Sequence, residues 1–406
     1  MKVRHIPLIL FAVFLLPACS RSVPVRSIER EVLFALELGR LENQLALYNL
    51  NGNDSARHID IAMRDGLFFI SDGKGGKILR FNSFGDLLFM IYNEETNPPP
   101  LTLRPHVEGS LLTRWSVKYP LLEPGKIAVD SRRNIFVQDR LPAGQHSSDA
   151  ESRARLDNVV LHFDSDGRFV KFLGREGIGG SPFPRIEGIF TTREDDLAVV
   201  CRLPTGWNIY WYDSEGFFLF MVHLANDAMP IPADRENVFA SPDGIFAGPD
   251  SRKLYVKMNY YRNVLDEETD TRTAIQSDSS VIWIMDAENG VWERYVELPF
   301  FEDVSIEQNR QIISRRPYSL LGITGNEWAF LSYTVPEDGG YALLAVSLKS
   351  GSDGEQRRGF IEVNNSELAF NVFALSADGI LSGLLATDWQ AEMVWWRTDR
   401  FLEERF

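Results

Sequence analysis

The stretch that decides the fold is GLFFISDGKGGKILRFNSFGDLLFMIY, residues 66 to 92. It holds three apolar runs of five to seven residues separated by turns that contain glycine, a pattern typical of short β-strands. The alternating segment HIDIAM (58–63) precedes it and leads into Asp65-Gly66, a pair that favours a two-residue hairpin turn. The region therefore predicts a sheet of four antiparallel strands.

The same four-strand pattern returns along the chain. The endings of the third strands nearly superimpose, as FNSFG (81–85), FDSDG (163–167) and YDSEG (212–216). We count six repeats, at roughly 58–92, 125–173, 187–224, 244–298, 318–363 and 370–401. One such sheet cannot bury both of its faces alone, and radial stacking of several sheets solves this problem. The sequence predicts an all-β fold, a six-bladed β-propeller formed by four-stranded antiparallel blades.

The last repeat lacks a fourth strand, because the chain stops at Phe406 soon after the third. The segment EVLFALEL (31–38) lies before the first repeat and is expected to complete the sixth blade and close the ring. An amphipathic helix over 31–48 is the alternative, since Leu and Glu are frequent there. Residues 19–30 would then be a tether and 31–406 a single propeller domain.

The repeat resembles that of the NHL family of β-propellers. The family pattern is matched best from Pro124 to Gly174, which contains IAVD, IFVQD and DSDG, and it is matched again by FFISDGKGGKILRFNSFG. Both copies end their second strand with an aspartate, Asp72 and Asp139, whereas the third repeat has Arg202 there. The resemblance implies an architecture and a habit of binding, and it implies no reaction.

The first residues, MKVRHIPLILFAVFLLPACS, resemble a bacterial lipoprotein signal. Lys2 and Arg4 precede an apolar stretch, and Leu16-Pro17-Ala18-Cys19 resembles a lipobox. An uncleaved anchor or an ordinary signal peptide is the alternative, but the stretch is shorter than the roughly 20 residues of a spanning helix. We therefore expect removal of residues 1–18, acylation of Cys19, and a lipid-anchored protein at the cell membrane or outer membrane.

Charge and cysteine content narrow the possible partners. The formal net charge is −15, and loss of Lys2 and Arg4 with the signal would take it to −17. Nucleic acid is excluded as a partner because phosphate binding needs a basic surface. The only cysteine besides Cys19 is Cys201, in the apolar run LAVVCR, so we expect a buried thiol and no intramolecular disulfide. Stability must come from the core, to which 44% hydrophobic residues contribute.

Long insertions gather on one face of the predicted disc. Turns between first and second strands are tight, whereas the segments 93–123, 140–157, 225–243, 259–279 and 299–317 all project from the opposite side. Insertions of this kind often form a binding face, although drift of solvated loops is the alternative. Aromatic and arginine side chains are common at interfaces, and those in or beside these segments are the candidates: Trp115, Tyr119, Arg140, Arg202, Trp207, Tyr260, Tyr261, Arg262, Tyr333 and Trp389.

Motifs of known enzymes are missing from the sequence. SDGKGGK (71–77) lacks the frame of a phosphate loop, there is no G-x-S-x-G elbow, and the histidines have no metal-ligand spacing. We therefore expect no catalytic residue, metal or cofactor, and a non-catalytic envelope lipoprotein that binds a protein, peptide or glycan. A rigid structural spacer is a second interpretation. A metal-dependent hydrolase or lyase with ligands around the central channel is the third.

Overall fold

A computed structural model describes residues 25–47, 59–107, 113–150, 152–265, 271–307, 310–335, 339–351 and 354–403. The predicted signal and Cys19 lie outside these residues. Two strands come first, β1 (Val25–Ser27) and β2 (Arg30–Glu37). They do not share a sheet, because each joins a sheet formed near the other end of the chain.

Sheets one to three follow in chain order. Sheet one contains β3 (Ile59–Arg64), β4 (Leu67–Asp72), β5 (Lys77–Asn82), β6 (Leu87–Tyr92), β7 (Arg104–Pro105) and β8 (Trp115–Lys118). Sheet two contains β9 (Ile127–Val129), β10 (Ile135–Arg140), β13 (Asn158–Phe163), β14 (Phe169–Gly174) and β15 (Gly177–Ile178), and the small pair β11 (Ser147–Ser148) and β12 (Arg155–Leu156) follows β10. Sheet three contains β16 (Arg185–Thr191), β17 (Leu197–Leu203), β18 (Gly206–Tyr212) and β19 (Phe218–Ala225).

Sheets four to six complete the chain. Sheet four contains β20 (Phe239–Ala247), β21 (Lys253–Leu265), β22 (Arg272–Asp286) and β23 (Val291–Leu298), and a separate hairpin follows it, β24 (Phe301–Glu307) and β25 (Arg310–Arg316). Sheet five contains β26 (Ser319–Ile323), β27 (Trp328–Val335), β28 (Gly340–Ser347) and β29 (Gln356–Glu362), with β1 parallel to β29. Sheet six contains β30 (Phe370–Leu375), β31 (Leu381–Ala386) and β32 (Gln390–Trp396), with β2 antiparallel to β32.

Helices are nearly absent from the described residues. The α-helix α1 (Thr398–Glu403) follows the last strand, and single 3-10 turns occur at Ala143–Gln145 and Asn365–Glu367. No helix in the described ranges is long and apolar enough to cross a membrane. The prediction of an all-β propeller is confirmed, and residues 30–37 form a strand and not the alternative helix.

The core lies between neighbouring sheets. The first strands of the six sheets contact one another in the cyclic order β3, β9, β16, β20, β26, β30 and back to β3. Within the described residues, six apolar clusters fill the spaces between them. One cluster joins sheets six and one, where Ile61 and Phe68 pack with Leu384 and Met393. The chain is thus a ring of sheets that is closed by burial between its last and first members.

Candidate functional site

The two aspartates that end second strands hold the chain as it enters their sheets. Asp72 accepts hydrogen bonds from the backbone N–H groups of Gly75 at 2.8 Å and Ala46 at 2.9 Å. Asp139 accepts from the N–H groups of Leu122 and Glu123, the latter at 2.7 Å. Burial raises the pKa of the Asp139 carboxyl to about 6, although these donors act to lower it. Both aspartates therefore have a structural role in the entry turns.

Two of the predicted long loops are in fact hairpins. β20 begins at Phe239, which pairs with Tyr261, but β21 continues to Leu265 and remains paired with β22. The segment that follows sheet four folds as the hairpin of β24 and β25. Both hairpins extend the face that the sequence identified by its long insertions. The loop interpretation of 259–279 and 299–317 is corrected, because backbone pairing orders these polar segments.

A groove of about 540 Å³ separates the two hairpins. We call it the hairpin groove, and it is lined by Ile275, Gln276, Ser277, Glu302, Ile313, Ser314, Arg315 and Arg316. Arg315 and Arg316 are exposed, and the Arg315 Nε lies 3.8 Å from a carboxylate oxygen of Glu302. Since exposed ion pairs of this length are weak, both guanidinium groups remain available to an anion.

A polar cluster lies on sheet four. The Asp243 carboxylate accepts a hydrogen bond at 2.8 Å from the Lys257 Nζ, which also donates to the Asn259 side-chain oxygen at 2.9 Å. The Ser280 hydroxyl donates to the same Asn259 oxygen at 2.8 Å. We call these four residues the interface cluster. Lys257 is fully buried, whereas the Asp243 side chain is 35% exposed.

The interface cluster combines a buried cation with an open anion. Burial lowers the pKa of Lys257, and the charge of Asp243 acts against this effect. A β-bulge between Pro242 and Gly244 places Asp243 out of the regular pairing. Bulges re-aim side chains and are frequent near active sites, and perturbed lysines are frequent there too. The Asp243 carboxylate is therefore accessible to solvent, and the buried Lys257 ammonium stabilises its negative charge.

The groove lies above the cluster at the same interface. Lys257 and Asn259 lie on the face of β21 that carries Tyr255, since residues two apart share a face, and Tyr255 packs against sheet five. Ser277 pairs with Tyr261 further along this strand. Phe239, opposite Tyr261, precedes Asp243 by four residues, or about 13 Å of strand. The level of the groove and the Asp243 carboxylate are therefore about 13 Å apart along the strand.

The second hairpin is anchored over sheet five. Phe301, at the start of β24, stacks on Tyr333 with ring centroids 4.4 Å apart, and it meets Tyr318 edge-on. Tyr333 was predicted as a binding residue, and its ring supports the base of this hairpin. Tyr333 therefore supports the hairpin that forms one wall of the groove, and it does not line the groove itself.

Two of the predicted binding residues are buried and have to be corrected. Trp207 is 6% exposed and packs in the cluster between sheets three and four, and Tyr260 is fully buried in the same cluster. The Tyr260 hydroxyl donates to the Pro230 carbonyl at 2.6 Å and accepts from the Trp283 Nε1 at 2.8 Å. Burial raises the pKa of Tyr260 to about 12. Their strands run further than the sequence predicted, which places both side chains inside the core.

The other predicted aromatic residues differ in their surroundings. Trp115 stacks on Phe89 at 5.9 Å and donates its Nε1 to the Asp166 carbonyl at 2.8 Å. Tyr119 packs edge-on against Phe163, and burial raises its pKa. The remaining two are Tyr261, stacked on Phe239 at 5.7 Å, and Trp389, which is 81% exposed.

The predicted arginines have partners within the chain. Arg140 pairs with Glu123 at 2.7 Å and Asp157 at 3.1 Å, and its pKa is raised by the hydrogen bond to Glu123. Arg202 lies over the Trp207 ring at 4.3 Å. Arg262 forms an ion pair with Asp278, which Arg235 also contacts.

Sequence reasoning missed Asp243 and Lys257, although both leave a signal. An acidic residue precedes glycine in IEGIF (186–190) and again in PDGIF (242–246), and both pairs occupy bulges of the first strand. Lys257 interrupts the apolar run LYVKM, and a charge in such a run predicts a buried partner.

Within the described part of the chain, no group of three or more His, Cys, Asp or Glu residues could hold a metal ion. Cys201 is buried, and burial raises the pKa of its thiol well above the usual value.

Comparison with known proteins finds similarity only at the level of structure. No protein-family model matches the chain, and no curated protein matches it. Two similar solved structures are a polysaccharide lyase of family PL25, an ulvan lyase, alone and bound to -[GlcA(1-4)Rha3S]-. Each is 12% identical, with 90% of this chain and 95% of the lyase covered, at TM-scores of 0.38 and 0.37 respectively. Similarity at this level concerns the fold and transfers no activity.

The comparison does correct the functional expectation from the sequence. We expected a non-catalytic binding or scaffold protein and no enzyme, partly because the architecture implied binding without a reaction. Both of these similar structures are described as polysaccharide lyases. The non-catalytic interpretation is withdrawn, and any activity has to be argued from the side chains of this chain.

Proposed function

We propose that this chain is an enzyme that cleaves an acidic polysaccharide by β-elimination, with Asp243 as the proton acceptor. The observation that carries the proposal is the Asp243 carboxylate, open to solvent and held by the buried Lys257 ammonium, below a groove lined by arginines. Proton transfer by a positioned side chain of this kind typically accelerates a reaction about 10²–10⁴-fold.

Binding is assigned to the hairpin groove. Guanidinium groups recognise carboxylates through paired N–H donors, and Arg315 and Arg316 both line the groove. The chain as a whole is acidic, with a net charge of −15, so the two arginines give the groove a local preference for anions. A chain of uronic acid residues fits this preference, because it repeats a carboxylate along an extended polymer.

The reaction follows from these positions. Arg315 and Arg316 would hold carboxylates of the polymer about 13 Å along the strand from Asp243, and so position another uronate of the same polymer with its C5 proton at Asp243. Asp243 takes the C5 proton, the electron pair forms the C4–C5 double bond, and the C4–O glycosidic bond breaks. Water protonates the leaving oxygen. Lys257 does not touch the substrate, and as a positioning residue it holds Asp243 in its ionised form.

The test is a screen of uronate polysaccharides with the purified chain. Elimination creates an unsaturated uronate that absorbs in the ultraviolet, and we expect this absorbance to rise on at least one substrate. Asp243→Asn should reduce the rate by about 10²-fold or more, while Glu236→Gln, at an exposed position nearby in sequence, should leave the rate unchanged. New reducing ends without the absorbance, or an active Asp243→Asn variant, would exclude this mechanism.

We further propose the finer assignments that the sequence supports. The six sheets are taken as six blades of one ring of the NHL type, on the basis of the repeated turn sequences and strand-end aspartates Asp72 and Asp139. The chain is proposed to be exported and anchored in the bacterial envelope by acyl chains on Cys19. The support for this is the sequence LPAC after the apolar stretch.

A further inference from the structure

Large apolar side chains are exposed together on the outer circumference of sheets two and three. We call this set the apolar rim, and its members are between 37% and 61% exposed: Phe169, Val170, Phe172, Ile178, Phe217, Phe218, Leu219 and Met221. They come from β14, β15, the turn before β19 and the start of β19. The two sheets touch there, since Gly177 lies against the backbone of Phe218 and the Lys171 Nζ donates to the Glu215 carbonyl. The sheet-two and sheet-three members of the rim therefore adjoin at Gly177 and Phe218.

The rim includes an open sheet edge. β19 is the last strand of sheet three, and within the described residues no strand pairs with its outer side. In sheets one, two and five, the fourth strand is paired with an additional strand. This additional strand is β8, β15 and β1, respectively. An uncovered edge presents unpaired N–H and C=O groups that can pair with another chain.

Other open edges carry charges that discourage pairing, whereas β19 does not. The outer strand of sheet four, β23, contains Glu293, Arg294 and Glu297, and β2 on sheet six contains charged residues as well. The sequence FLFMV at the start of β19 contains none. Charged side chains are a common protection of edge strands, so their absence here indicates that the edge is used.

The rim supplies most, but not all, of the area of a standard interface, so backbone pairing along β19 has to contribute the rest. With roughly 150–250 Å² available to a large side chain, these eight residues expose on the order of 600 Å², the upper end for a patch on a monomer. A standard interface buries about 800 Å² per partner. Lipid would cover the side chains, but hydrocarbon offers no partner to the open N–H and C=O groups. A second β-strand with an apolar surface would cover the exposed side chains and also pair with the open N–H and C=O groups.

We propose that the chain forms a two-fold symmetric dimer in which β19 pairs antiparallel with β19 of a second copy and the apolar rims pack together. An antiparallel pair of identical strands is related by a two-fold axis, the symmetry of most homodimers. This dimer is independent of the proposed reaction, because the hairpin groove lies between sheet four and the hairpin of β24 and β25.

The test is the mass of the full chain in solution, measured by light scattering and sedimentation over a range of concentrations. We expect a dimer for the wild type. The double variant Leu219→Lys with Met221→Lys places like charges near the two-fold axis and should raise the dissociation constant at least about tenfold. The control Val291→Lys with Phe84→Lys replaces apolar side chains elsewhere that are at least as exposed and should remain dimeric.

Three outcomes would overturn the dimer. The wild type could be monomeric at every concentration, or the dimer could survive the lysines on β19. A monomer that binds phosphatidylcholine vesicles through Leu219 and Met221 would assign the rim to lipid. This measurement uses a chain with Cys19→Ser, so that acyl chains on Cys19 do not contribute to vesicle binding. Thermal unfolding of each variant checks that the ring is intact.

Discussion

Replacement of Asp139 by asparagine should change the way in which stability depends on pH. Burial raises the pKa of this carboxyl to about 6 in the folded chain, against about 3.9 for an unfolded aspartate. Between these values the folded state binds more protons than the unfolded state, so that the contribution of Asp139 to the free energy of unfolding falls as pH rises. A difference of one between the folded and unfolded pKa values corresponds to about 1.4 kcal/mol, and since the unfolded carboxyl is already half ionised at pH 4, the loss from pH 4 to pH 7 is roughly 2 kcal/mol.

An asparagine at position 139 keeps a carbonyl oxygen for the N–H groups of Leu122 and Glu123 but carries no charge. The assay is urea denaturation of wild type and Asp139→Asn at several pH values from 4 to 7. The variant should gain stability relative to the wild type as pH rises, by roughly 2 kcal/mol across the range. Asp286→Asn, in an exposed turn, is the control. Its stability relative to the wild type should not rise between pH 4 and pH 7. A constant difference between wild type and Asp139→Asn would refute the buried charge.

Three further changes test other parts of the account. Leu36→Ala, at a 4% exposed position of β2, should lower the free energy of unfolding by about 2–5 kcal/mol in urea denaturation, whereas an unchanged value would show that β2 does not hold sheet six. Cys19→Ser should abolish partitioning into the detergent phase, and retained partitioning would point to another anchor. Arg315→Ala with Arg316→Ala should raise KM for an acidic polysaccharide about tenfold or more, while Arg193→Ala on the short-turn face should not; equal effects would remove the groove as the binding site.

The strands of the ring could be predicted because alternating apolar residues and glycine turns are local signals. FFIS, KILRF and DLLFMIY each lie in a strand of sheet one, and the N-terminal EVLFALE pairs with the last strand of the chain. The residue pattern thus determined the class of fold. Strands that pair across long distances in sequence, such as β1 with β29 and β8 with β6, left no local signal.

The site was harder to predict, for physical reasons. Trp207 and Tyr260 were assigned to loops because they lie just outside the predicted strands, but the pairing of β18 and β21 extends through them. The polar segment 259–279 has little apolar alternation, and its order depends on pairing within the hairpin. Asp243 and Lys257 meet across a bulge, and a bulge changes which side chains face each other in a way that spacing in sequence does not reveal.

The products of cleavage in oxygen-labelled water test the central claim most directly. Elimination breaks the C4–O bond without adding water across it, so mass spectrometry should find C4–C5 unsaturated ends and no label at the new reducing ends beyond slow exchange. Asp243→Asn should yield neither product. Incorporation of label at each new reducing end, with saturated partners, would show hydrolysis and contradict the account.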